Sequence, residues 1–405
     1  MEKRTFSVRK LHLINRAMMA AELGVQDSPR LDEFETLYRQ HPLVLKIINR
    51  HGEISNSLLS ILSLRGVRCW LIAKKSAYLF TDIETLRIWG RQQSFFSGEE
   101  EILVRCLQYF LYNFGKRDYE MSSEKYMFHF GGPTRVMGIL NVTPDSFFDG
   151  DRYSDVRYAV DRGLEMESQG ADIIDIGGES TRPGSLPVSE SEELARVVPV
   201  IEGLVNEVQI PISVDTYKAP VAEAAIQAGA TIINDISGLQ FDPHMVEVAL
   251  HYGVPVVVMH IKGTPKDMQI NPKYENLMDE LFLYFEDRLF AIEQAGIPRE
   301  RVIIDPGVGF GKRMWDNYEI LQRLPELRAL GAPILVGPSR KSFIGKALDL
   351  PVSERLEGTA AAVAASVLGG THIVRVHDVR EMLRVVQIAD LVAGNVILKE
   401  EDFSE

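Results

Sequence analysis

Eight short, continuously apolar segments recur between residues 136 and 377, and stretches of helical pattern separate them. A segment that is apolar on both faces is typical of a strand in a buried parallel sheet. Eight alternations of such strands with helices predict a (β/α)8 barrel, so we assign the chain to the α/β class. The predicted strands are 136–141, 171–177, 211–215, 231–235, 254–260, 302–305, 333–337 and 372–377.

The segments between these strands have the apolar periodicity of helices. The predicted helices are 155–169, 191–205, 219–228, 278–295, 315–324 and 357–368, and a further helix is predicted to begin after Ser339-Arg340-Lys341. A glycine follows several helices and precedes the next strand, where a positive φ suits it. These glycines are Gly170, Gly229, Gly253, Gly296, Gly331 and Gly370. Residues 126–130 are predicted to pair with 135–137 in a hairpin that closes the bottom of the barrel.

The chain is longer than one barrel requires. A (β/α)8 barrel takes roughly 250 residues, so 405 residues predict a second domain. We predict a barrel over residues 126–395, preceded by a small α/β N-terminal domain over residues 1–120. In that domain the pattern predicts helices over 16–23, 31–50 and 100–114, and strands over 67–72 and 77–80. The sequence assigns no role to it.

Charge is divided unevenly along the chain. Residues 1–130 have 19 Lys and Arg against 15 Asp and Glu, whereas residues 131–405 have 25 against 42, a net charge of −17. An acidic barrel is a poor nucleic-acid binder, since phosphate backbones are bound by extended basic surfaces. No apolar segment approaches the ~20 residues of a membrane span, and no secretory signal pattern follows the first basic residues. We therefore expect a cytoplasmic protein that binds small molecules.

Polar residues follow nearly every predicted strand, which is the edge of a barrel where chemistry occurs. They are Asn141, Glu179 to Arg182, Asp215, Asn234, Asp235, His260, Asp305, Ser339 to Lys341, Arg375 and His377. Asp215 and Asp305 could be the acid and base of a glycosidase. Asn234 and Lys341 instead favour recognition of a flat heterocycle, since carboxylate, amide and ammonium groups match its amino and carbonyl edges. The residues alone leave both possibilities open and favour the heterocycle.

A second group of residues predicts an anion site. Arg375 and His377 are two positions apart on one strand, so both side chains lie on one face and can contact one anion. The segment from Gly337 to Ser342 begins a helix after a strand, a place that also favours negative charge. Asn141 offers a neutral oxygen that suits a Mg2+ ion otherwise bound by water and phosphate oxygens.

Seven motifs together resemble the dihydropteroate synthase family, and the resemblance covers about residues 126–395. The seven motifs are Leu140-Asn141-Val-Thr-Pro-Asp145, Asp175-Ile-Gly-Gly-Glu-Ser-Thr181-Arg182-Pro183, Ser213-Val-Asp215, Ile233-Asn234-Asp235, Asp305-Pro-Gly-Val-Gly-Phe310-Gly-Lys312, Ser339-Arg340-Lys341 and Arg375-Val-His377-Asp378. The resemblance implies that 4-aminobenzoate displaces diphosphate from 6-hydroxymethyl-7,8-dihydropterin diphosphate, which gives 7,8-dihydropteroate for folate biosynthesis. It also implies a homodimer.

The resemblance implies a role for each matching residue. Asp215, Asn234, Asp305 and Lys341 would bind the pterin, Thr181 would contact the substrate, and Asn141, Arg375 and His377 would bind the diphosphate with Mg2+. Pro183, Phe310 and Ser342 would surround 4-aminobenzoate. Asp145, Arg182 and Pro183 lie on loops 143–152 and 178–187, which match the family's mobile loops. The implied catalytic residues are Asp145, Arg182 and Lys341.

The implied chemistry is a dissociative loss of diphosphate, followed by attack of the aromatic amine on the pterin methylene cation. Closed loops would keep water from that cation, so Asp145→Ala and Arg182→Ala should lower turnover more than pterin affinity. Two alternatives remain. A pterin-binding methyltetrahydrofolate methyltransferase would not need the Arg375 and His377 pair. A non-catalytic pterin-binding scaffold would need neither the loop residues nor the anion site.

Overall fold

The structure is a computed structural model that describes residues 5–25, 28–92, 95–123, 125–143, 152–181 and 184–397. Its internal contacts divide the chain into two compact units. The first consists of Met1–Lys116, Asn276–Glu286 and Pro325–Gly331, and the second of the remaining residues from Arg117 onward. The expected division at residues 120–126 stays a prediction.

The first unit contains a four-stranded antiparallel sheet in the order β1-β2-β4-β3, with helices between its strands. Its elements are β1 (Phe6–Lys10), α1 (Arg16–Leu23), α2 (Pro29–Gln40), β2 (Leu43–Asn49), α3 (Asn56–Leu64), β3 (Arg68–Ala73), β4 (Ser76–Thr81), α4 (Ile83–Arg91) and α5 (Gly98–Gly115). A small α/β region was therefore predicted correctly. Its core includes Phe34, Tyr78 and Phe80, whose rings pack together.

One predicted helix of this unit is wrong beyond residue 40. The pattern predicts a single helix over 31–50, but α2 ends at Gln40 and residues Leu43–Asn49 form the inner strand β2. Leu45 and Ile47 are fully buried, and β2 pairs with strands on both sides. A strand this apolar lacks the alternation that would distinguish it from a helix. Pro42 was the available signal, because a residue before proline disfavours helical backbone.

The second unit contains the predicted barrel. Its elements are β5 (Tyr119–Ser122), β6 (Met127–Phe130), β7 (Arg135–Asn141), α6 (Arg152–Ser168), β8 (Ile173–Gly177), α7 (Glu190–Leu204), β9 (Ile212–Asp215), α8 (Ala219–Ala228), β10 (Ile232–Asp235), α9 (Met245–Tyr252), β11 (Val256–Met259), α10 (Leu277–Gln294, whose first turns belong to the first unit), β12 (Val302–Asp305), α11 (Met314–Arg323), β13 (Leu335–Val336), α12 (Ser342–Leu348), α13 (Leu356–Leu368), β14 (Ile373–Val376) and α14 (Val379–Ala393).

Eight parallel strands form the barrel wall in the order β12-β11-β10-β9-β8-β7-β14-β13. A parallel bridge between Ile304 and Ile334 joins the two outermost strands and closes the ring. The predicted (β/α)8 barrel is confirmed, and each predicted strand end lies within two residues of the observed one. All six glycines predicted to follow helices have positive φ.

The hairpin at the bottom of the barrel has a different partner from the one predicted. Residues Met127–Phe130 pair antiparallel with Tyr119–Ser122, whereas Arg135–Asn141 is a barrel strand bonded to β8 and β14. Both edges of β7 are occupied, so it cannot also join a hairpin. The hairpin does lie at the predicted end, because Tyr119 and Phe130 share one core cluster with residues near the strand starts.

The first unit also holds a buried ion cluster, which we define as Arg9, Glu22, Lys46, Asp279 and Glu326. Lys46 Nζ donates to Glu22 at 2.7 Å and to Asp279 at 2.6 Å, and Arg9 donates to Glu22, Asp279 and Glu326. Tyr78 also donates to Glu22. Buried charges require partners of opposite sign, so this cluster ties strands β1 and β2 to α1 and the start of α10.

Candidate active site

A cavity of about 450 Å³ lies where the barrel strands end. Asn141 and Asp215 end their strands and line it, and so do residues of the loops that follow β8 and β13. Parallel strands of a barrel place their carboxyl ends at the same rim, so distant sequence motifs meet there. This is the rim at which the sequence predicts the site.

Eight of the predicted site residues line this one cavity: Asn141, Thr181, Asp215, Phe310, Lys341, Ser342, Arg375 and His377. Asn234 and Asp305 do not line it, although Asp305 ends β12 and Asn234 is the last residue but one of β10. Asp145, Arg182 and Pro183 lie outside the described residues, as do parts of the two loops that carry them.

Four of the residues at this rim form a network that we call the Asp175 cluster (Asp175, Asp215, Asn234 and Arg375). Arg375 Nε donates to Asp175 Oδ2 at 2.6 Å, and its Nη2 donates to Asp215 Oδ2 at 2.7 Å. Asn234 Nδ2 donates to the same Asp175 oxygen at 2.9 Å. Asp175 lies in one of the family motifs without an implied role. It connects a residue predicted to bind diphosphate with one predicted to bind the pterin.

Asp175 is fully buried, and its second oxygen, Oδ1, has no hydrogen-bond partner among the described residues. A buried carboxylate needs charged partners, and the guanidinium of Arg375 supplies one. The signal that could have found Asp175 is a charged residue inside the apolar segment Ile173–Gly177, since a strand buried on both faces admits such a residue only when it is paired.

Burial controls the charge of two further carboxylates. It raises the pKa of Asp215 to about 7; Arg375 opposes this shift and Asp175 adds to it. Burial likewise raises the pKa of Asp305 to about 6, against the effect of the hydrogen bond from Gly307 N–H. Both groups therefore gain protons more readily than ordinary aspartates. When ionised, each is a strong acceptor for N–H donors in a space with little water.

The glycine-rich loop after β12 positions Phe310 and Asp305. Asp305 Oδ1 accepts from Gly307 N–H at 2.7 Å. Lys312 is buried, and its Nζ donates to the carbonyl oxygens of Gly307 and Phe310 and contacts His260 Nδ1 at 3.0 Å. Lys312 therefore holds the loop together from inside. Its pKa is lowered to about 7, chiefly by burial.

Lys341 and Phe310 meet at the cavity wall. Lys341 Nζ lies 4.1 Å from the centroid of the Phe310 ring, within cation–π distance. Gly309 lies against the Lys341 side chain, where a Cβ would be 3.1 Å from Lys341 Cδ. The loop after β12 and the segment after β13 thus fix one another.

Ser339 and His377 form a second pair at this wall. His377 Nδ1 lies 3.0 Å from Ser339 Oγ, and the backbone N–H of His377 donates to the same oxygen at 3.2 Å. Arg340, between Ser339 and Lys341, has a φ of 56° and donates through Nε to Asp378 at 3.0 Å. Burial first, then the neighbouring cation of Arg375, lowers the pKa of His377 to about 3. The ring is neutral at neutral pH.

Three of the polar residues at strand ends serve the local structure. Asp235 accepts from the N–H groups of Ser237 and Leu239, and His260 contacts Lys312. Glu179 accepts from Tyr217 and Lys218, both at 2.6 Å. Asp235 thus bonds within its own loop, whereas His260 and Glu179 each join the loops that follow two different strands.

Comparison with known proteins places this geometry in a family. The profile of the pterin binding enzyme family matches residues 137–377. A dihydropteroate synthase of Synechocystis is 48% identical over 265 residues, which are 65% of this chain and 92% of that protein. The Escherichia coli dihydropteroate synthase is 47% identical over 255 residues, 63% of this chain and 90% of that protein.

The chain belongs to the dihydropteroate synthase family.

Solved structures of this family share the barrel. A Yersinia pestis dihydropteroate synthase, crystallised with a sulfonamide drug, is 42% identical with a TM-score of 0.65 and covers 68% of this chain and 99% of its own. A Xanthomonas albilineans dihydropteroate synthase in complex with 7,8-dihydropteroate is 40% identical with a TM-score of 0.61. The match covers 67% of this chain and 98% of the Xanthomonas chain. The family profile begins at Met137.

The described residues contain neither a cluster of metal-binding side chains nor a membrane-spanning helix. No group of three or more His, Cys, Asp or Glu side chains there is arranged to hold a metal ion. Asn141 is a neutral donor on the cavity wall, which fits an ion that takes most of its ligands from substrate oxygens and water. None of the described helices is both long and apolar enough to cross a membrane.

Proposed function

We propose that the cavity is the active site of a dihydropteroate synthase, a transferase that condenses 6-hydroxymethyl-7,8-dihydropterin diphosphate with 4-aminobenzoate in folate biosynthesis. The observation that carries the proposal is one cavity lined by residues assigned to the diphosphate, to the pterin and to the aromatic amine. Family members solved with 4-aminobenzoic acid and with 7,8-dihydropteroate support the same substrates.

The pterin is bound by Asp215, Asn234, Asp305 and Lys341. Ionised Asp215 and Asp305 accept hydrogen bonds from ring N–H and amino groups, and Lys341 donates to ring acceptors. The carboxylates also stabilise positive charge that develops on the ring. Their burial supports this role, since electrostatic effects are stronger away from water.

The diphosphate is bound by Arg375 and His377, and Asn141 contributes an oxygen to Mg2+. The metal ion, when bound, neutralises charge on the leaving diphosphate. Arg375 supplies a fixed positive charge, because Asp175 and Asp215 hold its guanidinium in place. Preorganised charge of this kind needs no rearrangement as the reaction proceeds.

The reaction breaks the bond between the pterin methylene carbon and the diphosphate oxygen, and the electron pair leaves with the diphosphate. The amine nitrogen of 4-aminobenzoate then bonds to the methylene carbon and releases one proton. Phe310 and Ser342 position the aromatic amine, Thr181 contacts the substrate, and Asp145, Arg182 and Pro183 close over the site. Excluding water prevents its competing attack on the same carbon.

Formation of dihydropteroate by the purified protein tests this function. Purified protein with both substrates and Mg2+ should make it, and Lys341→Gln should lower kcat/KM by on the order of 100-fold or more. Lys346→Gln is the matched control, because Lys346 is an exposed lysine on the same helix and does not line the cavity. Equal activity of the two variants would contradict the assignment of Lys341 to the active site. No product with wild-type protein would refute the function.

Two further properties are proposed on the family resemblance alone. We expect a homodimer in solution and a cytoplasmic location. Light scattering coupled to size-exclusion chromatography should give twice the chain mass of 45.5 kDa. A single-chain mass at all concentrations would contradict the dimer, and fractionation of cells tests the location.

A further inference from the structure

Ser339 and His377 make two hydrogen-bond contacts with each other. Together these contacts indicate which atom donates in each bond and which ring nitrogen of His377 carries the proton. The backbone N–H of His377 lies 3.2 Å from Ser339 Oγ, and ring atom Nδ1 lies 3.0 Å from the same oxygen. Ser339 is only 3% exposed, and both residues line the cavity. The two contacts join the segment after β13 to the end of β14.

The direction of each bond follows from donor capacity. A backbone N–H can only donate, so Ser339 Oγ accepts that bond. Ser339 Oγ has no other bond among the described residues. If the ring Nδ1 also donated, the serine hydrogen would have no acceptor among the described residues, which costs free energy. The hydroxyl therefore donates to Nδ1, and Nδ1 carries no proton.

A neutral imidazole with an unprotonated Nδ1 carries its proton on Nε2. The surroundings of the ring keep it neutral: burial, Arg375, Arg340 and Lys341 lower its pKa and outweigh Asp378, which raises it. No described residue is bonded to Nε2. This nitrogen is therefore the one with which a cavity-lining ring can meet a ligand.

We infer that Ser339 fixes His377 in the neutral tautomer protonated on Nε2, so that the ring donates a hydrogen bond to the substrate diphosphate and transfers no proton to it. Ser339 is thus a positioning residue that acts through His377. The identity of the anion rests on the proposed function, whereas the tautomer does not. Arg375 then supplies positive charge to the leaving diphosphate, which takes no proton from the histidine.

The tautomer can be read directly from full-length protein with 15N-labelled histidine. Long-range proton–nitrogen correlation spectra separate protonated from unprotonated ring nitrogens, and His377→Gln identifies the signals by their loss. At neutral pH we expect an unprotonated Nδ1 and a protonated Nε2. A protonated Nδ1, alone or together with a protonated Nε2, would overturn the inference whether or not the protein is active.

Three variants test the part played by Ser339. Ser339→Ala should let the His377 signals shift towards a mixture of tautomers and raise KM for the dihydropterin diphosphate about tenfold. Ser339→Thr keeps a hydroxyl and should restore the wild-type signals. Ser366→Ala is the matched control, since Ser366 is buried and its hydroxyl donates to Ala362 O within α13.

Unchanged His377 signals in folded Ser339→Ala would overturn the role of Ser339. If that variant does not fold, the Ser339→Thr and wild-type spectra decide the assignment. If wild-type protein makes no dihydropteroate while its spectrum shows the expected tautomer, the proposed function fails and the tautomer stands.

Discussion

At the scale of single residues, the site depends on groups that support the residues predicted to touch substrate. Asp215, Lys341, Arg375 and His377 were predictable because each is a polar residue at a strand end. Asp175 contacts residues 59 and 200 positions away in the chain, and Ser339 contacts a residue 38 positions away. Sequence spacing does not show such contacts, so the supporting groups appear only when the barrel is closed.

Asp175 should matter for substrate binding although it does not line the cavity. Asp175→Asn removes the charge that orients Arg375 and leaves Asp215 as its remaining described carboxylate partner. We expect KM for the dihydropterin diphosphate to rise about 10- to 100-fold, since hydrogen bonds to charged groups contribute about 1.5–3 kcal/mol.

Asp172→Asn is the matched control for this variant. Asp172 precedes the same strand and pairs with Arg135 at 2.9 Å, at the opposite end of the barrel. It should stay within about twofold of wild type. Steady-state kinetics at saturating 4-aminobenzoate give both values, and a wild-type KM in Asp175→Asn would contradict the role of the Asp175 cluster.

Pterin affinity should depend on pH through Asp215. Because its pKa is raised to about 7, this carboxylate becomes protonated as the pH falls through 7 and is then a weaker acceptor for the pterin N–H. Binding of 6-hydroxymethyl-7,8-dihydropterin should therefore weaken between pH 8 and pH 6; this ligand lacks the diphosphate, whose own ionisation would confuse the result. Asp215→Asn should bind weakly and lose the inflection near pH 7. A flat wild-type profile would contradict the assignment.

At the scale of elements, the barrel was predictable and the N-terminal unit was only partly so. Buried parallel strands are short apolar segments with polar ends, and glycine after each helix marks the boundaries. The same rule misassigned Leu43–Asn49, which is apolar except for Lys46 and Asn49 and begins three residues after the end of α2. The hairpin partner of Met127–Phe130 was wrong for another reason. Pairing depends on which strand edges are already occupied, and sequence does not give that.

The loop after β12 needs glycine for two reasons: its backbone has a positive φ, and it packs too closely against neighbouring atoms to leave room for a Cβ. Gly307 has a φ of 68°, and a Cβ there would lie 2.0 Å from His260 O. Gly307→Ala should therefore displace the loop, lower stability by on the order of 2 kcal/mol or more and reduce activity. Calorimetry and the dihydropteroate assay measure the two effects.

Gly394→Ala is the control that separates the cost of a positive φ from the cost of a steric clash. Gly394 also has a positive φ, 73°, but nothing lies within 4 Å of a Cβ built there. It should cost only about 1 kcal/mol and leave activity unchanged. Equal effects of the two substitutions would show that the contact with His260 O carries no weight.

At the scale of the whole molecule, the first unit takes in two segments that lie within the predicted barrel range. Asp279 and Glu326 belong to these segments, and both accept hydrogen bonds from Arg9. Their electrostatic partners are therefore hundreds of residues away in sequence, beyond what periodicity or charge counts could reveal. The charge difference between residues 1–130 and 131–405 does not show that the first unit includes these two later segments.

Removing Arg9 should destabilise the protein more than removing a surface arginine. Arg9→Met leaves Glu326 and Glu22 buried with less compensating charge, and breaking a buried pair typically costs about 3–5 kcal/mol. Arg16→Met is the matched control, because Arg16 pairs with Asp32 and Glu35 at the surface, where ion pairs contribute about 0–1 kcal/mol. The Tm of Arg9→Met should fall by several degrees more; equal Tm values would contradict a stabilising role for the buried ion cluster.

The most direct test of the proposed synthase is the stoichiometry of its reaction. Purified protein with dihydropterin diphosphate and Mg2+ should release diphosphate and form dihydropteroate in a one-to-one ratio when 4-aminobenzoate is present, and should release little without it. Pterin binding without diphosphate release would contradict the account and would favour the methyltransferase or the scaffold.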